Sequence, residues 1–203
     1  MSEARYRDEC SSLSKHLLSL YAEALKQKRR LVVSIDGRCG CGKSTLALEL
    51  ARMLEGEHHV SCDVIHLDDF FLPLARRTAE RTAFPGWAVD IERFNDEVAP
   101  FLRMLSDFEY GVFDCSCQSI TSTKRVSAGL VIVEGAYSMR PEWRALYDIS
   151  VFVTACSSVQ LERLQIRVGD ERLEAFKRQW IPLEEEYFDA FGVEAACDFK
   201  FNT

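Results

Sequence analysis

The chain has no apolar run long enough to span a bilayer, no surplus of basic residues, no C-x-x-C pair and no internal repeat. Each absence removes a class of protein. A membrane-spanning helix needs about 20 consecutive apolar residues, so no membrane partner is expected. Acidic residues outnumber basic ones, 32 to 25 in 203, for a formal net charge of −7. That balance speaks against the dense Lys/Arg faces of nonspecific nucleic-acid binding, and the basic stretch Lys26 to Arg30 is short. The eight cysteines are scattered apart from Cys39/Cys41 and Cys115/Cys117. Neither pair has the spacing of zinc or redox sites, so reduced thiols are expected. The segment Met1 to Glu9 is too charged for a signal peptide, and a cytoplasmic location is the expectation. With no low-complexity segment or linker, residues 1–203 read as one domain with a full core, in an oligomeric state left open.

What is present centres on Gly37-Arg38-Cys39-Gly40-Cys41-Gly42-Lys43-Ser44, which fits Gly-x-x-x-x-Gly-Lys-[Ser/Thr] at every fixed position. A chance match in a chain of this length is on the order of one in a hundred. The context is the one this loop requires. Leu31 to Ile35 is a short β-branched run, and Ser44 to Leu54 carries apolar residues at helical spacing. Backbone N–H groups of such a loop and the positive end of the helix hold phosphate, Lys43 reaches the β- and γ-oxygens, and the Ser44 hydroxyl ligates Mg²⁺. Gly37 to Ser44, with Thr45, are therefore the expected residues for binding a nucleoside triphosphate. The same field favours thiolate at Cys39 and Cys41; the bland alternative is that both are small spacers, since the pattern accepts nearly any residue there.

Around the loop, Leu13, Leu17, Leu20, Tyr21 and Ala24 recur at three and four, which predicts an amphipathic helix within residues 1–30. Strands are expected at Leu31–Ile35, Asp63–Leu67, Leu130–Glu134, Ile149–Val153 and Cys197–Phe201. Helices are expected at Ile91–Ser106, Pro141–Tyr147 and Ser157–Val168. Strand, crossover helix, strand is a parallel βαβ unit. The pattern reads as a three-layer α/β/α P-loop NTPase fold on a parallel sheet of about five strands. Ligands of open α/β sheets gather beyond the carboxyl ends of the strands, so Asp68 and Asp69 after the second strand face the loop's crevice. Glu134 ends the buried third strand, where an acid sits near Mg²⁺. Asp90 reads equally well as a helix N-cap. A guanine-specific switch protein is disfavoured: Asn-Lys-x-Asp is absent, and Asp189 to Gly192, the one Asp-x-x-Gly, lies too late in the chain.

Ile65-His66-Leu67-Asp68-Asp69-Phe70-Phe71 resembles the acceptor-site strand end of the uridine kinase and phosphoribulokinase family of P-loop kinases. Nicotinamide riboside kinases share the Asp-Asp-Phe-Phe. The resemblance implies ATP- and Mg²⁺-dependent transfer of a γ-phosphoryl group to a hydroxyl of a small acceptor. It makes Asp68 the base, and Asp69 falls where other members carry Ser or Ala. Phe84-Pro85-Gly86-Trp87 with Asp90 is similar to the family's acceptor segment, without its usual His-Pro-Asp. Phe108 to Cys115 is similar to its Tyr-x-x-x-Asp element, which puts Tyr110 and Asp69 with Asp90 among the expected acceptor contacts. Residues 70–128 would cover the acceptor. Residues 157–180 would form an arginine lid with Arg163 and Arg167, Arg172 being possible. Glu134 and Ser44 would hold the metal. Lys177 to Phe188 is similar to the Trp-Pro-x-x-x-x-Tyr segment of the riboside kinases. Uridine or cytidine is the expected acceptor, with nicotinamide riboside or pantothenate as alternatives and a non-catalytic nucleotide-binding protein as the rival class.

Overall fold

The computed structural model describes residues 3–203. Its centre is β1 (Leu31–Gly37), where every residue is buried. Alternation along this strand feeds two cores. Leu31, Val33 and Ile35 face α1 (Glu3–Lys26) and α2 (Lys43–His58), where Leu13, Leu17, Leu46 and Leu50 pack. Val32 faces the opposite layer with Phe70, Phe94, Tyr187 and Phe188. A strand covered on both faces carries an unbroken apolar run, because neither set of side chains meets water.

The sheet continues through β2 (Cys62–His66). An insertion follows that holds α3 (Ala79–Thr82), α4 (Ile91–Glu97), β3 (Phe108–Asp114) and β4 (Ser119–Val126). The chain returns in β5 (Leu130–Glu134) and β6 (Ile149–Thr154), then α5 (Ser157–Ala175), α6 (Ile181–Phe191), α7 (Val193–Ala196) and β7 (Phe199–Asn202). All five strands of the main sheet are parallel, in the order β2-β5-β1-β6-β7. The fold is the expected three-layer α/β/α arrangement. β3 and β4 form a separate antiparallel hairpin. Among the described residues no helix is long and apolar enough to cross a membrane.

Three expected helices come out differently. The one foreseen to Ser106 stops at Glu97. Pro100 has no N–H to donate and disfavours helical geometry at the residue before it. The turns that replace it are gathered by Arg30, fully buried, whose guanidinium donates to the carbonyls of Phe101, Met104 and Ser106 and to those of Ala128 and Val126. Pro141 to Tyr147 is a run of turns with one short 3₁₀ segment, Arg144–Leu146. The helix expected to end at Val168 instead runs to Ala175, broken at Gly169 (φ 76°).

Candidate active site

The loop sits where β1 meets α2, and its geometry follows from close packing against β6. Gly37 has φ 137°, and a Cβ there would stand 2.0 Å from the Val153 carbonyl oxygen. The register pairs these two residues directly, so only glycine fits. Beneath the loop lies Asp36, fully buried, which accepts from the N–H groups of Gly37 (2.7 Å), Tyr137 (3.2 Å) and Met139 (2.8 Å) and from the Tyr187 hydroxyl (2.8 Å). Burial raises its carboxyl against these donors. Lys43 lies across the loop, its Nζ donating to Gly37 O at 2.8 Å and Arg38 O at 3.1 Å.

Sheet register brings the acids together. His66 on β2 and Ile35 on β1 both stand opposite Glu134 on β5. Glu134 Oε1 accepts the Ser44 hydroxyl at 3.0 Å and also contacts His66 Nδ1, whose ring the carboxylate holds above the usual imidazole range. Gly135 follows at φ 141°, where a Cβ would press to 2.8 Å on Leu67 Cβ. That close approach aims the 3₁₀ turn Leu67–Phe70, and with it Asp68, at the loop. Asp68 is open to the cleft, yet the surrounding walls leave it short of water. Desolvation, then Glu134, raises its carboxyl, and Lys43, Arg167 and His66 oppose the rise.

Lys43, Ser44, Asp68 and Glu134 line one cavity of about 1010 Å³. Cys39 to Thr45, Asp68, Glu134 and Arg167 surround its middle. One end is aromatic and apolar, built from Phe71, Leu74, Val89, Phe176 and Trp180 with Arg77 and Gln118. The other is walled by Glu3, Tyr6, Arg163 and Thr203. Ser44 and Glu134 present oxygen donors of the kind Mg²⁺ takes. Among the described residues no cluster of three His, Cys, Asp or Glu side chains makes a metal cage.

Several expected site residues lie elsewhere. Arg38 turns away from the cavity and grips α6, with Nε at 2.6 Å and Nη2 at 2.8 Å from the two Glu185 oxygens. Asp69 is buried on the far side of its turn and accepts from the Tyr110 hydroxyl (3.1 Å) and Lys124 Nζ (2.8 Å), tying the β3–β4 hairpin to the core. Tyr110 stacks on Phe70, ring centroids 5.2 Å apart. Asp90 is fully buried as the N-cap of α4, accepting Arg93 N–H at 3.3 Å and pairing with Arg76. None of these three lines the cavity, and Arg172 does not either. Trp87 stands behind Trp180, centroids 6.4 Å apart. Arg163 and Arg167 share the cavity-facing side of α5 but serve different ends of it: Arg163 donates to Thr203 Oγ1 at 2.7 Å, and Arg167 faces Asp68.

The thiolate expectation fails at the loop. Cys39 and Cys41 are buried, and desolvation raises both thiols; Glu184 raises Cys39 further. The helix-terminus effect operates instead at Cys156, the exposed residue preceding α5, whose thiol is lowered by the Ser158 hydroxyl and by backbone N–H groups. Sequence reasoning also misses Glu184, buried against the cavity and accepting Cys39 N–H at 2.8 Å. One acid in the run Glu184-Glu185-Glu186 carries no local mark of burial. The helical period of Glu184, Tyr187 and Phe188 is the one signal available.

No family model matches the chain. Among solved structures, a uridine kinase candidate from Bacillus stearothermophilus is similar over 97% of this chain and 99% of that one, with TM-score 0.72 and 25% identity. A candidate fructose transport system kinase from a Silicibacter species is similar over 91% and 98% (TM-score 0.68, 21% identity). D-glycerate 3-kinase from Cryptococcus neoformans var. grubii is similar over 96% and 95% (TM-score 0.69, 14% identity). The last two likenesses are of fold.

Proposed function

From the premise that this chain is a P-loop kinase of the uridine kinase-like kind, we propose that it transfers the ATP γ-phosphoryl group to a ribonucleoside hydroxyl. The observation that carries this is one cavity in which Lys43, Asp68 and the Ser44–Glu134 pair stand between the phosphate loop and an aromatic end. Phosphoryl transfer asks the protein for alignment and charge neutralisation rather than covalent chemistry. The loop amides and Lys43 supply both for the triphosphate, once Nζ leaves the Gly37 and Arg38 carbonyls for the phosphate oxygens. Asp68 accepts the proton of the acceptor hydroxyl. Its raised carboxyl makes it a better base than an ordinary Asp. Arg167 faces the same point and screens charge on the group in transfer. Ser44 and Glu134 would hold Mg²⁺, which when bound neutralises charge on the phosphates.

Phe71, Phe176 and Trp180 give the acceptor end flat apolar surfaces suited to a nucleobase, with Arg77 and Gln118 as polar contacts. A small hydroxy acid or a sugar phosphate has no planar base to place there. Uridine or cytidine is the first choice and nicotinamide riboside the second; similarity to the Bacillus uridine kinase candidate supports the order. The test is ADP release with Mg·ATP over a panel of nucleosides, pantothenate, sugar phosphates and glycerate. Stimulation by pantothenate or a sugar phosphate alone defeats the nucleoside assignment. Turnover that depends on no acceptor defeats the kinase assignment.

A further inference from the structure

The start of α1 has no part in the mechanism above, yet it walls the cavity. The phosphate loop divides that cavity. Lys43 and Arg167 act on Asp68, and the Arg167 guanidinium stands 5.7 Å from the ring of Phe176 at the aromatic acceptor end. A triphosphate seated on Gly42 to Thr45 with its γ-phosphate towards Asp68 must direct its nucleoside the other way. That end is formed by Tyr6 and Glu3 of α1, Arg163 of α5 and Thr203. Its parts are tied to the loop and to each other. Thr203 Oγ1 donates to Cys41 O at 2.9 Å and accepts from Arg163 Nη1 at 2.7 Å. The half-buried Tyr6 ring meets Phe201 edge to face at 6.5 Å. Over the next three turns Cys10, Leu13 and Leu17 root α1 in the core beside Cys41 and Leu46, so the ring is held at a fixed place beside the loop.

We propose that Tyr6, carried by α1, is a nucleotide-positioning residue that packs against the base of the bound purine nucleoside triphosphate, with Arg163 beside it. The assignment rests on the phosphoryl-transfer reading only for the direction in which the triphosphate lies. It gives α1 a role in the site as well as in the core.

The experiment measures binding without any acceptor, by calorimetry, for Mg·ATP and for Mg·tripolyphosphate, which has the phosphates and lacks the nucleoside. Tyr6→Ala should weaken Mg·ATP about tenfold, the loss of one base–aromatic contact, and leave Mg·tripolyphosphate unchanged. Tyr6→Phe should bind both like the parent. Equal weakening of the two ligands by Tyr6→Ala would mean that α1 merely props the loop, and no weakening of either would mean that the base lies elsewhere; each overturns the proposal. An acceptor panel that fails leaves this binding result standing, so the two readings fail separately.

Discussion

Arg38→Ala separates two roles for the residue after the first loop glycine. A phosphate contact predicts weaker ATP binding in a protein of unchanged stability. The structure predicts the reverse, because the guanidinium is a bolt between the loop and α6. Its two bonds to Glu185 are bidentate, and its side chain is 22% exposed against 39% for the partner. Charge-assisted bonds of this kind contribute about 1.5–3 kcal/mol when sheltered, and the partner's exposure places this pair near the lower figure. The same guanidinium lies 5.4 Å from the Phe152 ring and 5.6 Å from that of Phe188. Each such contact adds about 0.5 kcal/mol. The total is about 2.5 kcal/mol, and at about 2–4 °C per kcal/mol for a domain of this size the Tm should fall by about 5–10 °C. Circular dichroism gives the Tm, and a cycle with Glu185→Gln should show about 1–1.5 kcal/mol of coupling between the two side chains. A Tm within a degree of the parent together with a raised KM for ATP refutes the bolt and returns Arg38 to the phosphates.

Other consequences are as direct. Lys43→Ala should abolish transfer in a folded protein; near-parental rates would mean that the loop is not the active site. For Asp68→Asn, kcat should fall by about 10²–10⁴, the range for loss of a general base, with ATP affinity kept. A folded-state pKa above the unfolded value means that the ionised form is disfavoured by folding, a cost absent at low pH and present once pH exceeds the folded pKa. The Asn variant should therefore melt above the parent at pH 8, and the gain should vanish on acidification. Equal melting at both pH values would show that Asp68 is not desolvated. Gly37→Ala should cost more than about 3 kcal/mol in urea denaturation, since Val153 O is backbone and has no room to yield; an unchanged midpoint contradicts that packing. In iodoacetamide labelling read by mass spectrometry, Cys156 should react first and Cys39 and Cys41 last. Fast labelling at the loop would restore the thiolate idea.

Patterns of local origin are legible in the amino-acid sequence. A motif whose residues are adjacent in the chain, a strand buried on both faces and the Asp-Asp turn at a strand end all follow from chemistry within a few residues. They determined the layers and the phosphate loop, and the resemblance carried by Ile65 to Phe71 implies Asp68 as the base candidate. Pro100 is equally visible, and its shortening of α4 is local physics that outweighs the apolar period. The rest depended on which distant surfaces meet. Asp68 and Asp69 are neighbours of identical chemistry, and the turn sends one into the cavity and the other to Tyr110 and Lys124. Cys39, Cys41 and Cys156 all lie near helix starts, and burial by residues far away in the chain decides which thiol is reactive. Arg38 belongs to the motif but is claimed by Glu185, 147 positions on. Side-chain direction and solvation are set by tertiary packing, so the sequence by itself determined where phosphate chemistry is built, and only the assembled structure decided which side chains face it.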